Sequence, residues 1–321
     1  MRRRPVTALA VAASDSGGAA GLQADLLTFA AHGLHGAAVV TGGTAQNTEA
    51  ITAVEPFSPG FVRRQMDAVF SDLAPAAVKI GMLFDAARVR AVAAGLVRWK
   101  ARNVVLDPVL RATSGRRLLA TSAVSTVTRE LLPLCDLVTP NLPEAAALTG
   151  IRVRSESDRR EAAGALCDMG ARAVLVKGGH GRGGEVRDLL FDGTFFTVFA
   201  APRLATRATR GTGCTLSSAI AARLAQGFGL TDAVALAIAY LRAGLSEGVF
   251  PGRGPGLPDH FPSEAAALRI RAAAAAGGLP AGPPPRSSGA GGGGRGRPRR
   301  AGPSRSRRAS GPRKPRPRRR G

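Results

Sequence analysis

The sequence is short of several features, and each gap excludes a class of protein. It has three cysteines, Cys135, Cys167 and Cys214. An odd number with no close pair excludes a disulfide framework and points to a reducing compartment, the cytoplasm. No CxxC or Cys/His cluster offers a structural zinc site. No apolar run approaches the ~18 residues of a membrane helix, so no membrane partner is expected. GxxxxGK[ST] is absent, which excludes a P-loop enzyme, and SDSGGAAG after the first apolar run does not supply the GxGxxG of a nicotinamide site. Residues 281–321 hold no acidic and no aromatic side chain.

What is present is a globular body with a basic tail. The 321 residues carry 45 Lys+Arg against 22 Asp+Glu, a formal charge of +23, and 45% are hydrophobic. That is ample chain for a core. Residues 281–321 contain only Gly, Pro, Ser, Ala, Arg and Lys, with 14 basic residues among them, and without them 31 basic and 22 acidic residues remain. Such a tail cannot bury apolar surface and is expected to be disordered. Its charge would bind nucleic acid in a salt-dependent way, but it lacks aromatics for base stacking. The plainer reading is a solvated appendage. At the other end, Arg2–Arg4 followed by Val6–Ala13 imitates a signal peptide, but the apolar stretch is near the minimum length and serves equally as a first strand.

Strand and helix patterns alternate. Val6–Ala12, Ala37–Thr41, Ala77–Ile80, Asn103–Asp107, Asp136–Thr139 and Ala173–Val176 read as strands. Leu22–His32, Phe61–Leu73, Ala86–Arg98, Ser122–Leu132, Asp158–Met169, Thr212–Gln226 and Thr231–Val249 read as helices, and Leu189–Ala201 as a hairpin. This argues for an α/β fold, an open, mostly parallel sheet with helices on both faces. One domain is expected over 1–263, an Ala-rich helical extension over 264–280 and the tail from 281. Polar motifs follow the strand ends: SDSGG, AQNT, DPV, PNLPE and KGGH. Ligands in such sheets bind outside the carboxyl ends of the strands, so one site would gather these motifs.

Each motif admits two readings. Gly211-Thr212-Gly213-Cys214 opens a helix, where free N–H groups hold phosphate and the dipole favours a Cys214 thiolate, or it is simply a helix start. The 14–25 stretch brings Asp15 and Asp25 to a small polar substrate, or is a capped βα loop. Asn141 and Glu144 are oxygen donors suited to a hydrated Mg²⁺, or they begin a helix. Lys177 would neutralise phosphate, with Gly178 and Gly179 admitting a nucleotide, or is an exposed loop lysine. Asp107 would ligate a metal or end its strand.

Taken in order, the segments 13–29, 44–48 (TAQNT), 78–83 (VKIGML), 103–109 (NVVLDPV), 137–148, 174–180 (VLVKGGH) and 210–222 (RGTGCTLSSAIAA) resemble the ribokinase-like superfamily, in particular the hydroxymethylpyrimidine/phosphomethylpyrimidine kinases of thiamine biosynthesis. The resemblance covers roughly residues 6–262, and Cys214 separates these kinases from the sugar kinases, which carry Asp there. It implies a three-layer α/β/α fold and transfer of the γ-phosphoryl group of ATP, with Mg²⁺, to the hydroxymethyl group of a small pyrimidine and then to its monophosphate. It further implies Gln46 at the pyrimidine edge, Asp15, Gly17 and Asp25 lining the substrate pocket, and Met82 and Val109 as apolar walls. Cys214 would be the candidate base, and Gly211, Thr212 and Gly213 the anion hole. Asp107, Asn141 and Glu144 would position Mg²⁺, while Lys177, Gly179, Asn141 and Thr209 would contact the nucleotide. A homodimer is expected from the same resemblance. Pyridoxal kinase is the enzyme alternative, and a basic nucleic-acid-binding protein on an inactive kinase fold the non-enzyme one. Three positions depart from the pattern: Arg210 in place of His, Gly42-Gly43 in place of bulkier residues, and Arg116 in place of an acidic one.

Overall fold

Alternate residues of the central strands turn to opposite faces of the sheet, and each face is covered by its own helical layer. In the computed structural model, which describes residues 4–268 apart from 113, 114, 180, 182 and 267, β1 (Thr7–Asp15) turns Leu9 and Val11 to one face and Ala8, Ala10 and Ala12 to the other. β4 (Ala77–Ile80) turns Val78 and Ile80 to the first face and Ala77 to the second, whereas β5 (Val104–Leu106), β6 (Leu137–Val138) and β7 (Val174–Val176) place Val105, Leu137 and Leu175 on the second. The first face is covered by α2 (Pro59–Leu73), α3 (Ala86–Trp99), the one-turn α4 (Val124–Thr126), α5 (Leu142–Thr149) and α6 (Glu156–Asp168). The other face receives α1 (Gly21–Ala31), α7 (Thr212–Ala225) and α8 (Leu230–Ser246), whose buried faces are themselves rich in alanine. Side chains of period two in strands and 3.6 in helices make such layers from sequence alone.

β2 (His35–Gln46), β3 (Ile51–Pro56), β8 (Glu185–Phe191) and β9 (Phe196–Pro202) complete a nine-stranded sheet of order β3-β2-β1-β4-β5-β6-β7-β8-β9. The six strands from β2 to β7 in that order run parallel; β3 pairs antiparallel with β2, β8 with β7 and β9 with β8. The expected three-layer, mostly parallel architecture is therefore present. Three expectations change. β2 runs to Gln46, so Ala45 and Gln46 belong to the strand rather than to a loop after it. β3 had no counterpart in the sequence reading, because as an edge strand it buries none of its six residues. Ser122–Leu132 is not one helix: a 3₁₀ turn, α4, a π-helical turn over Val127–Leu131 and a second 3₁₀ turn at Leu132–Leu134 follow one another up to Cys135. The Ala-rich extension beyond 264–266 and 268, the basic tail, and His180 of the KGGH motif lie outside the described residues.

The Gly42-Gly43 departure has a packing reason at its first residue. A Cβ on Gly42 would sit 2.5 Å from the Glu55 carbonyl oxygen and 2.6 Å from Cζ of Phe84, whereas one on Gly43 meets nothing within 4 Å. Gly42 therefore lets β3 and Phe84 close over β2. Overpacking of this kind costs about 1–3 kcal/mol. Gly42→Ala is expected to lower the urea unfolding free energy by about that amount, with Gly43→Ala within about 0.5 kcal/mol of the parent; equal effects would show that the contact is not rigid.

Candidate active site

The parallel strands end on one edge, and the side chains just beyond them line a continuous cleft of about 980 Å³. Asp15 ends β1, Gln46 ends β2, and Asp107, Asn141 and Lys177 follow β5, β6 and β7. Met82, Val109, Glu144, Gly179, Thr209 and Gly211–Cys214 share the wall. Gly17 and Asp25, expected in the substrate pocket, do not line it: Gly17 packs against the Gln46 carbonyl and Asp25 is fully buried beneath the floor.

Helix α7 begins inside this cleft without a side-chain cap. Gly211 holds the left-handed φ of +69° and lies so close to the Ala19 carbonyl oxygen that a Cβ would collide with it. The glycine thus locks the α1 loop against the start of α7. Uncapped first-turn N–H groups and the helix dipole favour an anion there.

Across from Gly213 stands an ion pair. Lys177 Nζ donates to Asp107 Oδ1 at 2.6 Å, with both side chains nearly buried. Burial pulls the Lys177 ammonium down, but Asp107 and Glu144 carry it above its ordinary value. Asn141 and Glu144 form a reciprocal cap on α5: the Asn141 carbonyl oxygen accepts from Glu144 N and Glu144 Oε2 accepts from Asn141 N, each at 2.9 Å. Burial, opposed by Lys177 and reinforced by Asp107, pushes the Glu144 carboxyl up to about 7. Among the described residues no three His, Cys, Asp or Glu side chains cluster as a closed metal cage. Two carboxylates beside a lysine have the oxygen chemistry that suits a cation shared with phosphate oxygens.

At Cys214 burial pushes the thiol up to about 11, Asp25 and Asp107 add to the rise, and Lys79 and the Gly21 N–H partly offset it, a direction opposite to the thiolate expected at a helix start.

Asp15 is an organiser of its loop. Its Oδ1 accepts from Gly17 N at 2.8 Å, and its Oδ2 accepts from Ala19 N, Ala20 N and Gln46 Nε2 at 3.1, 3.0 and 3.0 Å. Gln46 therefore spends one amide hydrogen on Asp15 and keeps the other for the cleft, while its Oε1 accepts from Thr44 Oγ1 at 3.4 Å and retains a second lone pair. Ser16 and Gln46 exchange two further hydrogen bonds at 2.8 Å.

Lys79 is the functional-site residue that the sequence reading missed. It is 0% exposed yet reaches the cleft floor. Its Nζ donates to both oxygens of Asp25 at 2.7 and 2.8 Å, and Ser218 Oγ donates to Asp25 Oδ1 at 2.7 Å. Burial lifts the Asp25 carboxyl, against the pull of Lys79 and Ser218; it lowers the Lys79 ammonium, which Asp25, Cys214 and Asp107 nonetheless raise. A lysine inside a four-residue buried strand was the available signal. Of the other departures, Arg210 enters the wall beside the anion hole, and Arg116 donates to the Ile51 carbonyl, tying the 111–117 loop to β3.

Comparison with known proteins is consistent along the whole body. The family model described as phosphomethylpyrimidine kinase matches residues 15–259. A hydroxymethylpyrimidine/phosphomethylpyrimidine kinase of Rhizobium meliloti is 53% identical over 253 residues, 77% of this chain and 95% of that one. The crystal structure of a phosphomethylpyrimidine kinase from Clostridium difficile is 38% identical and superposes with a TM-score of 0.67, covering 75% of this chain and 98% of that chain. The ADP complex of a Bacillus subtilis pyridoxal kinase is 30% identical with a TM-score of 0.75, covering 83% and 99%.

Two expectations follow from the geometry. Gly213→Asp would bring a carboxylate against Asp107 and abolish nearly all turnover, while Cys214→Ala keeps residual activity, reduced by about 10²- to 10⁴-fold at most. Steady-state kcat for the two variants decides it, and equal losses would contradict the ranking. Lys79→Met leaves Asp25 buried and unpaired and should cost about 3–5 kcal/mol in urea unfolding. The Lys79→Met/Asp25→Asn double variant should lose less than the sum of the singles; strict additivity would mean that the pair does not act as one.

Proposed function

The chain belongs to the phosphomethylpyrimidine kinase family, and from that membership and this cleft we infer that it is a kinase of thiamine biosynthesis. It transfers the γ-phosphoryl group of ATP to 4-amino-5-hydroxymethyl-2-methylpyrimidine and then to the resulting monophosphate. The observation that carries this reading is the arrival of Gln46, Cys214, the uncapped start of α7 and the Asp107–Lys177 pair at one cleft.

Phosphoryl transfer asks mainly for positioning and charge stabilisation. Gln46 offers a donor and an acceptor to the pyrimidine edge, and Met82 and Val109 provide apolar walls. The Gly211, Thr212 and Gly213 turn, with α7 behind it, faces the charge of the transferring group. Lys177 neutralises nucleotide phosphate, with Gly179 and Thr209 in the wall of the same cleft. Cys214 lies where burial raises its thiol and Lys79 pulls it back down, the position of a candidate base for the acceptor hydroxyl. Mg²⁺ fits the Asp107 carboxylate and the Glu144 oxygen left over from the reciprocal cap with Asn141; when bound it would screen the charge that builds on the phosphates. Cytoplasmic residence is supported by the three free thiols. The homodimer rests on the family resemblance, and any nucleic-acid contact would run through the basic tail.

A second reading is supported by the likeness to the pyridoxal kinase structure, whose TM-score of 0.75 exceeds that of the Clostridium kinase. ADP release by the purified chain with Mg-ATP separates the two. The expected result is turnover of both the hydroxymethylpyrimidine and its monophosphate, lost on chelation of the metal and absent with ribose. Turnover of pyridoxal alone would move the activity to vitamin B6, and no turnover with any acceptor would overturn the kinase reading.

A further inference from the structure

The cleft holds three buried cationic side chains, and two of them are neutralised. Lys79 is paired with Asp25 and Lys177 with Asp107. Arg210, 8% exposed and lining the cleft next to the Gly211–Gly213 turn, has no carboxylate partner among the described residues. Its Nη1 donates to the Thr48 carbonyl oxygen at 3.0 Å, its backbone N–H to the Gly256 carbonyl at 2.9 Å, and its Nε is buried with no hydrogen-bond partner. A guanidinium always carries its charge, and burying it without a counter-charge is costly. An anion bound beside it would offset that cost.

Its position says which anion. Thr48 lies two residues beyond Gln46, at the end of β2, and Ser16 and Asp15 pin that turn from the other side. Lys177 and Gly179 follow β7, which flanks the row of parallel strands on the side opposite β2. Arg210 is thus on the acceptor side of the anion hole, not on the nucleotide side. In the first transfer an alcohol oxygen attacks the γ-phosphorus, the bond from that phosphorus to the bridging oxygen breaks, ADP leaves with the electron pair, and the alcohol gives up a proton. In the second, an oxygen of the ester phosphate attacks. The phosphorus–oxygen bonds form and break alike, but a dianionic acceptor has no proton to lose. It brings instead two negative charges toward a γ-phosphate, and those need a cation on the acceptor side.

We propose that Arg210 is the subsite for the phosphate already carried by the monophosphorylated pyrimidine, so that it sets the preference of this chain for its second substrate over its first. The inference rests on the kinase reading above. Its free Nε and the remaining Nη2 supply a two-toothed donor edge of the kind that matches phosphate.

The test compares the full chain with Arg210→Gln and Arg210→Lys in two measurements. The first is kcat/KM for the monophosphate divided by kcat/KM for the alcohol, at saturating Mg-ATP. The second is the dissociation constant of each pyrimidine without nucleotide, by calorimetry. Loss of a charge-assisted hydrogen bond corresponds to about a tenfold to hundredfold change. Arg210→Gln is expected to lower the ratio by that factor and to erase the tighter binding of the monophosphate, with Arg210→Lys recovering part of both. A ratio unchanged because both acceptors suffer equally would overturn the proposal and leave Arg210 a strut for the Thr48 turn. A rise in KM for ATP that is the same with either acceptor would overturn it in favour of a nucleotide contact. If the parent chain neither binds nor turns over either pyrimidine, the kinase reading itself fails and this proposal falls with it.

Discussion

A buried ion pair ties the site together. Lys79 stands on β4, Asp25 on α1 and Ser218 on α7, and their hydrogen bonds of 2.7–2.8 Å join the three elements beneath the cleft floor. Ala8, Ala10 and Ala12 of β1 face α1 and α7, which bring Leu22, Phe29, Leu216 and Ile220 to the same cluster. A two-oxygen contact between unlike charges, sealed from water, sets the orientation of α1 against α7 where aliphatic packing would tolerate sliding. The Asp15 loop precedes α1 and the Gly211 turn precedes α7, so the proposed acceptor pocket and anion hole both take their positions from elements that this contact joins. Asp25 thereby serves the site without touching it.

The distribution of charge above that floor is asymmetric. On the β7 side, Lys177 is matched by Asp107 and Glu144, a balance that a nucleotide and its cation would rearrange rather than create. At the centre, the start of α7 is left without a cap, although α2, α3, α5 and α6 all receive one from Ser58, Asp85, Asn141 and Ser155. On the β2 side, Arg210 stands unmatched. α1 and α8 likewise start without a side-chain cap, but the start of α7 and Arg210 adjoin one another in the cleft wall, where a phosphate-bearing ligand would lie.

Much of this was legible in the sequence. Short Val/Leu/Ile runs ending in polar motifs announce parallel strands whose ends meet at one edge, and SDSGG, NVVLDPV, PNLPE and RGTGC each fell where the cleft formed. Less legible were features that depend on partners far away in the chain. Lys79 reads as an anomaly within AVKI until Asp25, 54 residues earlier, is seen to meet it. Asp25 and Gly17 share a motif with Asp15, yet the helix turns one of them under the floor and the loop turns the other against Gln46. The upward shift of the Cys214 thiol could not be read from its place at a helix start, because burial beside Asp25 and Asp107 sets its direction. β3 left no trace, since an edge strand that buries nothing needs no apolar run.

A crystal structure of the full chain with a non-hydrolysable ATP analogue, Mg²⁺ and the hydroxymethylpyrimidine would test the central claim most directly. The terminal phosphate is expected against the Gly211–Cys214 turn, with Lys177 beside it, the cation between Asp107 and the phosphates, and the pyrimidine edge on Gln46. A nucleotide phosphate seated away from the start of α7, or a pyrimidine turned from Gln46, would contradict the assembly of these strand ends into one phosphoryl-transfer site.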